Sequence, residues 1–313
     1  MKNRTLLVGD VFERIKEIPT ESIDCMITSP PYWQLRDYNS SKQFGHEPTF
    51  QEYLQRMHDL MTEVRRVLKS TGSAWVNMSD KYDTTGRIIR RKTRLGIPER
   101  FYIDCIDSGW IARNLCIWHK KNGKPEPYPD RLTNYSEPLM FFVKTTKYYF
   151  NLDPIRVAPK FKDSIPRKVQ GKQVDLNGEI KDEGVLTGNS KHAGYKSKNV
   201  KMNADYSSDG AHYSDKYGLK YSHPKGSNPG NVWSINTKPY PGAHYATFPI
   251  ELPSRIIKCA CPEGGTVLDP FFGAGTTGVA AEQLGRKWIG IEINPEYAEE
   301  ARQRLHKYRN NQL

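Results

Sequence analysis

Apolar and polar positions along the chain fall into two patterned stretches separated by one in which the pattern dissolves. Positions 6–8 form a short apolar run closed by Gly9 and Asp10, a strand followed by a turn. Residues 11–18 read as a short helix stopped by Pro19. Residues 24–28 read as a second strand, ended by Pro30 and Pro31 because neither proline can donate to a sheet ladder. Within 50–68, Tyr53, Leu54, Met57, Leu60, Met61, Val64, Val67 and Leu68 recur at helical spacing, which predicts an amphipathic helix ended at Gly72. Residues 73–78 then read as a strand, 97–107 as a helix and 111–119 as a strand. Residues 137–144 read as a buried strand with Tyr148, Tyr149 and Phe150 as its hairpin partner. Order resumes at Val232 and Trp233, followed by a helix over 248–261, a strand over 266–268, a helix over 276–284 and a strand over 288–293. Asn294 caps the last helix, with Pro295 at its first position. Strands alternating with helices predict a three-layer α/β domain around a mostly parallel sheet.

Composition narrows the picture. At 313 residues the chain accommodates one large domain with a sizeable insertion. No apolar run approaches the roughly 18 residues that would suggest a membrane span, and the N-terminal apolar stretch is too short for a signal peptide, so a cytoplasmic location is expected. The five cysteines (Cys25, Cys105, Cys116, Cys259 and Cys261) show neither zinc-site spacing nor a disulfide framework, and no metal is expected. A net charge of +12 suits a polyanionic partner, with nucleic acid the default. Arg87, Arg90, Arg91, Lys92 and Arg94 crowd one stretch. Across 156–230, where periodicity fails, Lys and Arg outnumber Asp and Glu among Gly, Asn, Ser and Tyr. That segment is long for a linker within a compact enzyme. The organisation read from these shifts is 1–155, 156–230 and 231–313.

Gly273-Ala274-Gly275-Thr276-Thr277-Gly278 fits GxGxxG, follows a predicted strand and opens a predicted helix, while Glu292 ends the next strand. The glycines let backbone approach a ligand, and a carboxylate at that strand end can accept both ribose hydroxyls. This geometry suits an adenosine cofactor but by itself leaves NAD and S-adenosylmethionine (SAM) both open. Asp269 discriminates: an acid beside the glycines complements the amino group and sulfonium of SAM and would repel a pyrophosphate. An NAD-dependent oxidoreductase would also leave Ser29 to Tyr32 and the net charge without a role.

Thr28-Ser29-Pro30-Pro31-Tyr32-Trp33 near the start, and Leu268-Asp269-Pro270-Phe271-Phe272-Gly273-Ala274-Gly275-Thr276-Thr277 near the end, resemble the catalytic motif and the SAM loop of DNA amino-methyltransferases. Catalytic motif first and cofactor loop last is the order of the permuted beta group. The resemblance covers 6–150 and 233–305. It implies a Rossmann-like, circularly permuted SAM-dependent methyltransferase with a doubly wound, mostly parallel sheet and a target-recognition insertion at 156–230. The partner implied is double-stranded DNA, with a cognate restriction endonuclease and a homodimer left open, and no membrane. Carried over onto this chain, SAM would be held by Asp269, Phe271, Gly273, Gly275, Thr276, Thr277 and Glu292. The element His244-Tyr245-Ala246-Thr247-Phe248-Pro249 would add Thr247, Phe248 and Pro249 at the methionine end, and Asp10 would lie near the adenine.

Methylation of an exocyclic amino group needs acceptors that hold both hydrogens and turn the nitrogen lone pair toward the methyl. In the resembled family a side-chain oxygen and the following carbonyl do this. Here they are Ser29 and the carbonyl of Pro30, with Pro30 and Pro31 fixing the backbone. Tyr32 would stack on a flipped base, returning roughly 1–3 kcal/mol against a flipping cost of a few. Serine at the first position, with Trp118 to Asn122, Pro125, Glu126 and Asp130 to Thr133 downstream, is similar to cytosine-N4 members; adenine-N6 is the alternative. His119 is expected to be structural.

Overall fold

The computed structural model describes residues 4–35, 43–157, 173–174, 180–181, 225–238 and 248–310. They divide into two compact units, Met1–Ile155 with Pro229–Leu313, and Arg156–Asn228.

In the first unit the chain order is β1 (Arg4–Val8), α1 (Val11–Arg14, continued as a 3-10 turn), β2 (Ile23–Thr28), α2 (Phe50–Val67), β3 (Leu68–Asn77), α3 (Ile97–Asp107), β4 (Ile111–His119) and β5 (Ser136–Val143). The second unit contributes β6 (Gln173–Val174) and β7 (Ile180–Lys181), a short antiparallel hairpin. Val157 and Ser227, in the same unit, exchange backbone hydrogen bonds. Most of 156–230 lies outside the described residues. The first unit then resumes with β8 (Val232–Ser234), α4 (Glu251–Ala260), β9 (Thr266–Asp269), α5 (Thr276–Gln283), β10 (Lys287–Glu292) and α6 (Pro295–Arg309).

Eight strands form one sheet in the order β1-β10-β9-β2-β3-β5-β4-β8. All neighbours are parallel except those of β5, which runs against both β3 and β4. β1, the first strand, pairs with β10, the last, so the cofactor half is completed from the opposite end of the chain. The winding reverses between β9 and β2. In open α/β sheets such a switch opens a crevice beyond the carboxyl ends of the strands.

Alternation along the strands separates two cores. Met26, Ala74, Val76, Met140 and Phe142 face α2 and α3, whose stripe includes Tyr53, Met57, Leu60, Val64 and Phe101. Cys25, Ile27, Trp75, Phe141 and Val143 face the other layer, where Ile256, Ile257, Ala280, Ala301 and Leu305 lie. Trp75 and Phe141, opposed across β3 and β5, stack at 4.1 Å. All five cysteines are buried and free. No described helix is long and apolar enough to cross a membrane.

Three expectations need correction. Gly72 does not end α2: Leu68 already takes extended dihedrals and pairs with Ile23, so the chain passes straight into β3 with a register irregularity before Ser73. Tyr148, Tyr149 and Phe150 do not pair with β5, which has β3 on one side and β4 on the other; the Tyr149 N–H instead donates to Thr71 O and the Asn151 N–H to Cys259 O. The helix expected over 248–261 begins at Glu251, because Phe248 lines a cavity and Pro249 precedes the first turn, its carbonyl accepting from Leu252 N at 3.0 Å.

Candidate active site

Because β5 alone is reversed, its first residues share an edge with the carboxyl ends of β1, β2, β3, β4, β9 and β10. A cavity of about 710 Å³ opens along that edge, within the range typical of small-molecule sites. Ser29, Pro30, Pro31 and Tyr32 line it from β2, and Asp269, Phe271, Gly273, Thr276 and Glu292 from β9 and β10. Asp10 and Phe248, also expected, line it too. Thr247, with His244 to Ala246, lies outside the described residues. Pro249, Gly275 and Thr277 do not line the cavity; they shape what does.

At the glycine loop, Gly275 holds φ 76° at the N-cap of α5, a left-handed position that disfavours a side chain. Phe272 stacks on Trp288 at 4.9 Å. A Cβ on Gly290 would stand 2.3 Å from the Phe272 ring, so only glycine admits that packing. Phe271 faces the cavity edge-on to Phe44 at 5.1 Å.

Three acids sit at this end. Glu292 takes the Gly273 N–H at 2.8 Å on Oε2 and the Asn294 N–H at 2.9 Å on Oε1, which fixes its plane. Burial raises its pKa. Asp269 takes Thr28 Oγ1 at 2.9 Å and Phe271 N at 3.1 Å on Oδ1, and Thr277 Oγ1 at 2.6 Å on Oδ2. Burial pushes it up to about 7, against the lowering effect of those three donors. Asp10 caps α1 through Phe12 N at 2.9 Å. No cavity residue following β1, β9 or β10 is Lys or Arg. These acids fit a cationic adenosine cofactor with a free diol.

At the other end the motif loop is braced from below. Trp33 is 3% exposed and its indole N–H donates to Glu47 O at 2.9 Å. Ser29 Oγ donates to Tyr32 Oη at 3.0 Å, and Tyr32 Oη lies 3.0 Å from Glu137 Oε2 and 3.2 Å from Asn77 Oδ1. Burial and the Glu137 carboxylate hold the Tyr32 phenol protonated well above its ordinary range. Lys120 donates to Glu137 Oε1. Beyond them the wall is basic and polar: Lys124 and Lys238, with Asn122 bridging to Thr237 at 2.8 Å. His119 pairs with Ser234 at 3.2 Å and does not line the cavity, while the largely buried Trp118 does.

Sequence reasoning included Thr28 and Lys120 in its motifs without giving them a role, and it missed Asn77 and Glu137 as site residues. The signal for Glu137 was a carboxylate at the head of an otherwise apolar strand; its partners were not readable, because they arrive from other strand ends.

A permuted Rossmann-like sheet with an acid-lined glycine loop facing a Ser-Pro-Pro-Tyr strand end defines a SAM-dependent methyltransferase. The chain belongs to the N6/N4 amino-methyltransferase family: the family profile described as DNA methylase matches residues 23–303. Among curated relatives, the type II methyltransferase M.Cfr9I of Citrobacter freundii is 31% identical over 97% of this chain and 88% of its own length. M.SmaI of Serratia marcescens is 30% identical over 97% and 91%. Of solved structures, the PvuII DNA methyltransferase (cytosine-N4-specific) shares the fold at TM-score 0.64 and 21% identity, covering 97% of this chain and 86% of that one. TTHA0409 of Thermus thermophilus, complexed with S-adenosyl-L-methionine, does so at 0.58 and 22%, covering 97% and 95%.

Proposed function

We propose that this amino-methyltransferase transfers the methyl group of SAM to N4 of a flipped cytosine within a specific sequence of duplex DNA. The observation that carries the reading is Ser29: its hydroxyl donates inward to Tyr32 at 3.0 Å, which leaves its lone pairs for an amino group in the cavity. SAM, when bound, supplies an electrophilic methyl on a sulfonium. Ser29 Oγ and the Pro30 carbonyl accept hydrogen bonds from the two amino hydrogens, one of which leaves as a proton once the nitrogen has taken the methyl, and the consecutive prolines hold that carbonyl without rearrangement. The Tyr32 ring, anchored through its hydroxyl, gives the base a stacking face. Glu292 takes the ribose hydroxyls. Asp269 supplies negative charge at the methionine end and holds the loop that bears Phe271, Gly273 and Thr276.

The type II relatives support methylation of DNA; the cytosine-N4-specific neighbour and serine rather than aspartate at the first motif position support the choice of base. On the same reading, 156–230 is the target-recognition region, and a cognate endonuclease is the biological partner. Incubation with duplex DNA and labelled SAM, then nucleoside mass spectrometry, tests it: N4-methylcytosine is expected, and N6-methyladenine alone would reverse the choice of base.

A further inference from the structure

Glu137 lines the cavity beside Tyr32 and Lys120, and its carboxylate is hydrogen-bonded to both of them. Its carboxylate is buried, at 8% exposure, and both oxygens are engaged: Oε1 by the Lys120 ammonium, Oε2 by the Tyr32 hydroxyl at 3.0 Å. Tyr32 has one proton to give and two acceptors in reach. Glu137 is the nearer and, as an anion, the stronger; Asn77 Oδ1 is 3.2 Å away. The Asn77 amide nitrogen donates to Pro138 O at 3.1 Å, which keeps its oxygen toward Tyr32. Both acceptors therefore draw the phenol proton away from Ser29, and Ser29 completes the chain by donating to the phenol oxygen.

We propose that Glu137, held by Lys120, is a positioning residue that sets the direction of the Ser29–Tyr32 hydroxyl chain, so that Ser29 Oγ meets the target amino group purely as an acceptor. The proposal rests on the amino-methyltransferase reading of Ser29 above. Direction matters because a hydroxyl carries a single hydrogen. If Tyr32 donated to Ser29, the Ser29 hydrogen would turn toward the cavity and confront the amino hydrogens it should accept. The lone pair of the target nitrogen would then lose one of the two contacts that rehybridise it. No covalent change at Glu137 is needed; its effect is a fixed orientation present before substrate binds.

Glu137→Gln tests this at nearly constant volume. Beside Lys120 the new amide must turn its oxygen to the ammonium, which leaves its NH2 facing Tyr32. That group donates where the carboxylate accepted and competes with Ser29 for the phenol oxygen. The expected result is a fall in methylation kcat of about tenfold, equivalent to ~1.4 kcal/mol, with KM for DNA and calorimetric SAM affinity unchanged. Adding Lys120→Met frees the amide to rotate its oxygen toward Tyr32, so the double variant should regain most of the lost kcat. A merely structural ion pair would show the opposite, a double variant no better than Glu137→Gln. A raised KM with kcat kept would place Glu137 on the base itself and overturn the proposal, as would an unchanged Glu137→Gln kcat. Thermal unfolding of each variant separates misfolding from misorientation. If the wild-type protein methylates no amino group on DNA, the functional reading fails; if it does and Glu137→Gln keeps its rate, only the orienting role fails.

Discussion

Thr28 Oγ1 donates to Asp269 Oδ1 at 2.9 Å, across 241 residues of sequence. The bond joins the last residue of β2 to the last residue of β9 at the point where the winding of the sheet reverses. One residue beyond Thr28 stands Ser29; beyond Asp269 the glycine loop begins. The same carboxylate holds Phe271 N and the Thr277 hydroxyl. A single buried acid therefore ties β2, the loop and the start of α5 together, and the motifs that lie farthest apart in sequence share one anchor.

Asp269→Ala should accordingly cost more than a ligand contact. It leaves two buried hydroxyls and a backbone N–H without their acceptor, and each buried unsatisfied group costs about 1–3 kcal/mol. Both unfolding stability and SAM affinity should fall. Thr28→Val removes one donor and keeps the shape, so its stability loss should be about 0.5–1.5 kcal/mol. Denaturant unfolding with calorimetric titration of SAM reads both; an Asp269→Ala protein of unchanged stability and affinity would refute the anchor.

Asp269 also gives the site a pH response. Burial raises its folded pKa to about 7, with the Glu292 carboxylate adding to the rise. The folded protein then holds a proton that the unfolded chain has released, so stability without ligand should decline from about pH 4 to about pH 7 and level off above. A cationic ligand favours the ionised form. SAM binding should therefore release a proton below pH 7, and affinity should climb toward a plateau near neutrality. Titrations in buffers of differing ionisation enthalpy count the proton, and Asp269→Asn should abolish its release.

The two ends of the cavity divide the labour. Ser29→Ala should impair methylation while leaving SAM affinity intact, because the Ser29 hydroxyl bonds to Tyr32 and not to the glycine loop. Glu292→Ala should weaken SAM binding strongly, since it removes the proposed diol acceptor and strands the N–H groups of Gly273 and Asn294. Paired calorimetry and single-turnover methylation distinguish the two; loss of SAM binding in Ser29→Ala would contradict the division.

Local chemistry made much of the fold legible. α3 and β4 fall where the pattern placed them, since Gly96 and Gly109 bracket a helical period and an apolar run follows. Asn294 caps α6 as read, accepting from Glu296 N at 2.8 Å. What failed depended on partners remote in sequence. Leu68 leaves the helix because Ile23 is waiting across the sheet, and Tyr148 to Phe150 have strand-like aromatics but no free edge to join. Glu137 enters the site only because β5 is reversed, a fact that no window around Glu137 contains.

The loop after β3 offers the sharpest test of how DNA is held. Asp83, buried, accepts N–H bonds from Thr85, Gly86, Ile88 and Ile89, all at 2.8–2.9 Å, so the loop is ordered before any ligand arrives. Two of its cations are already used: Lys92 pairs with Asp130, and Arg94 reaches both Asp80 and Glu99 at 2.7 Å. Arg87, Arg90 and Arg91 are exposed and make no ion pair among the described residues. The loop leaves the same edge of the sheet as the cavity, and on the proposed reading these three arginines would meet phosphates flanking the target base. Replacing all three with Gln should lower the log–log salt slope of DNA binding by about 0.9 for each phosphate no longer neutralised, and weaken binding evenly across sequences. The methylated sites should stay the same. Exchanging 156–230 for a Gly/Ser linker should do the reverse in kind: SAM binding persists, and site choice disappears. If the arginine variant changes which sites are modified, or the linker variant keeps them, the assignment of backbone grip to the loop and sequence reading to 156–230 is wrong.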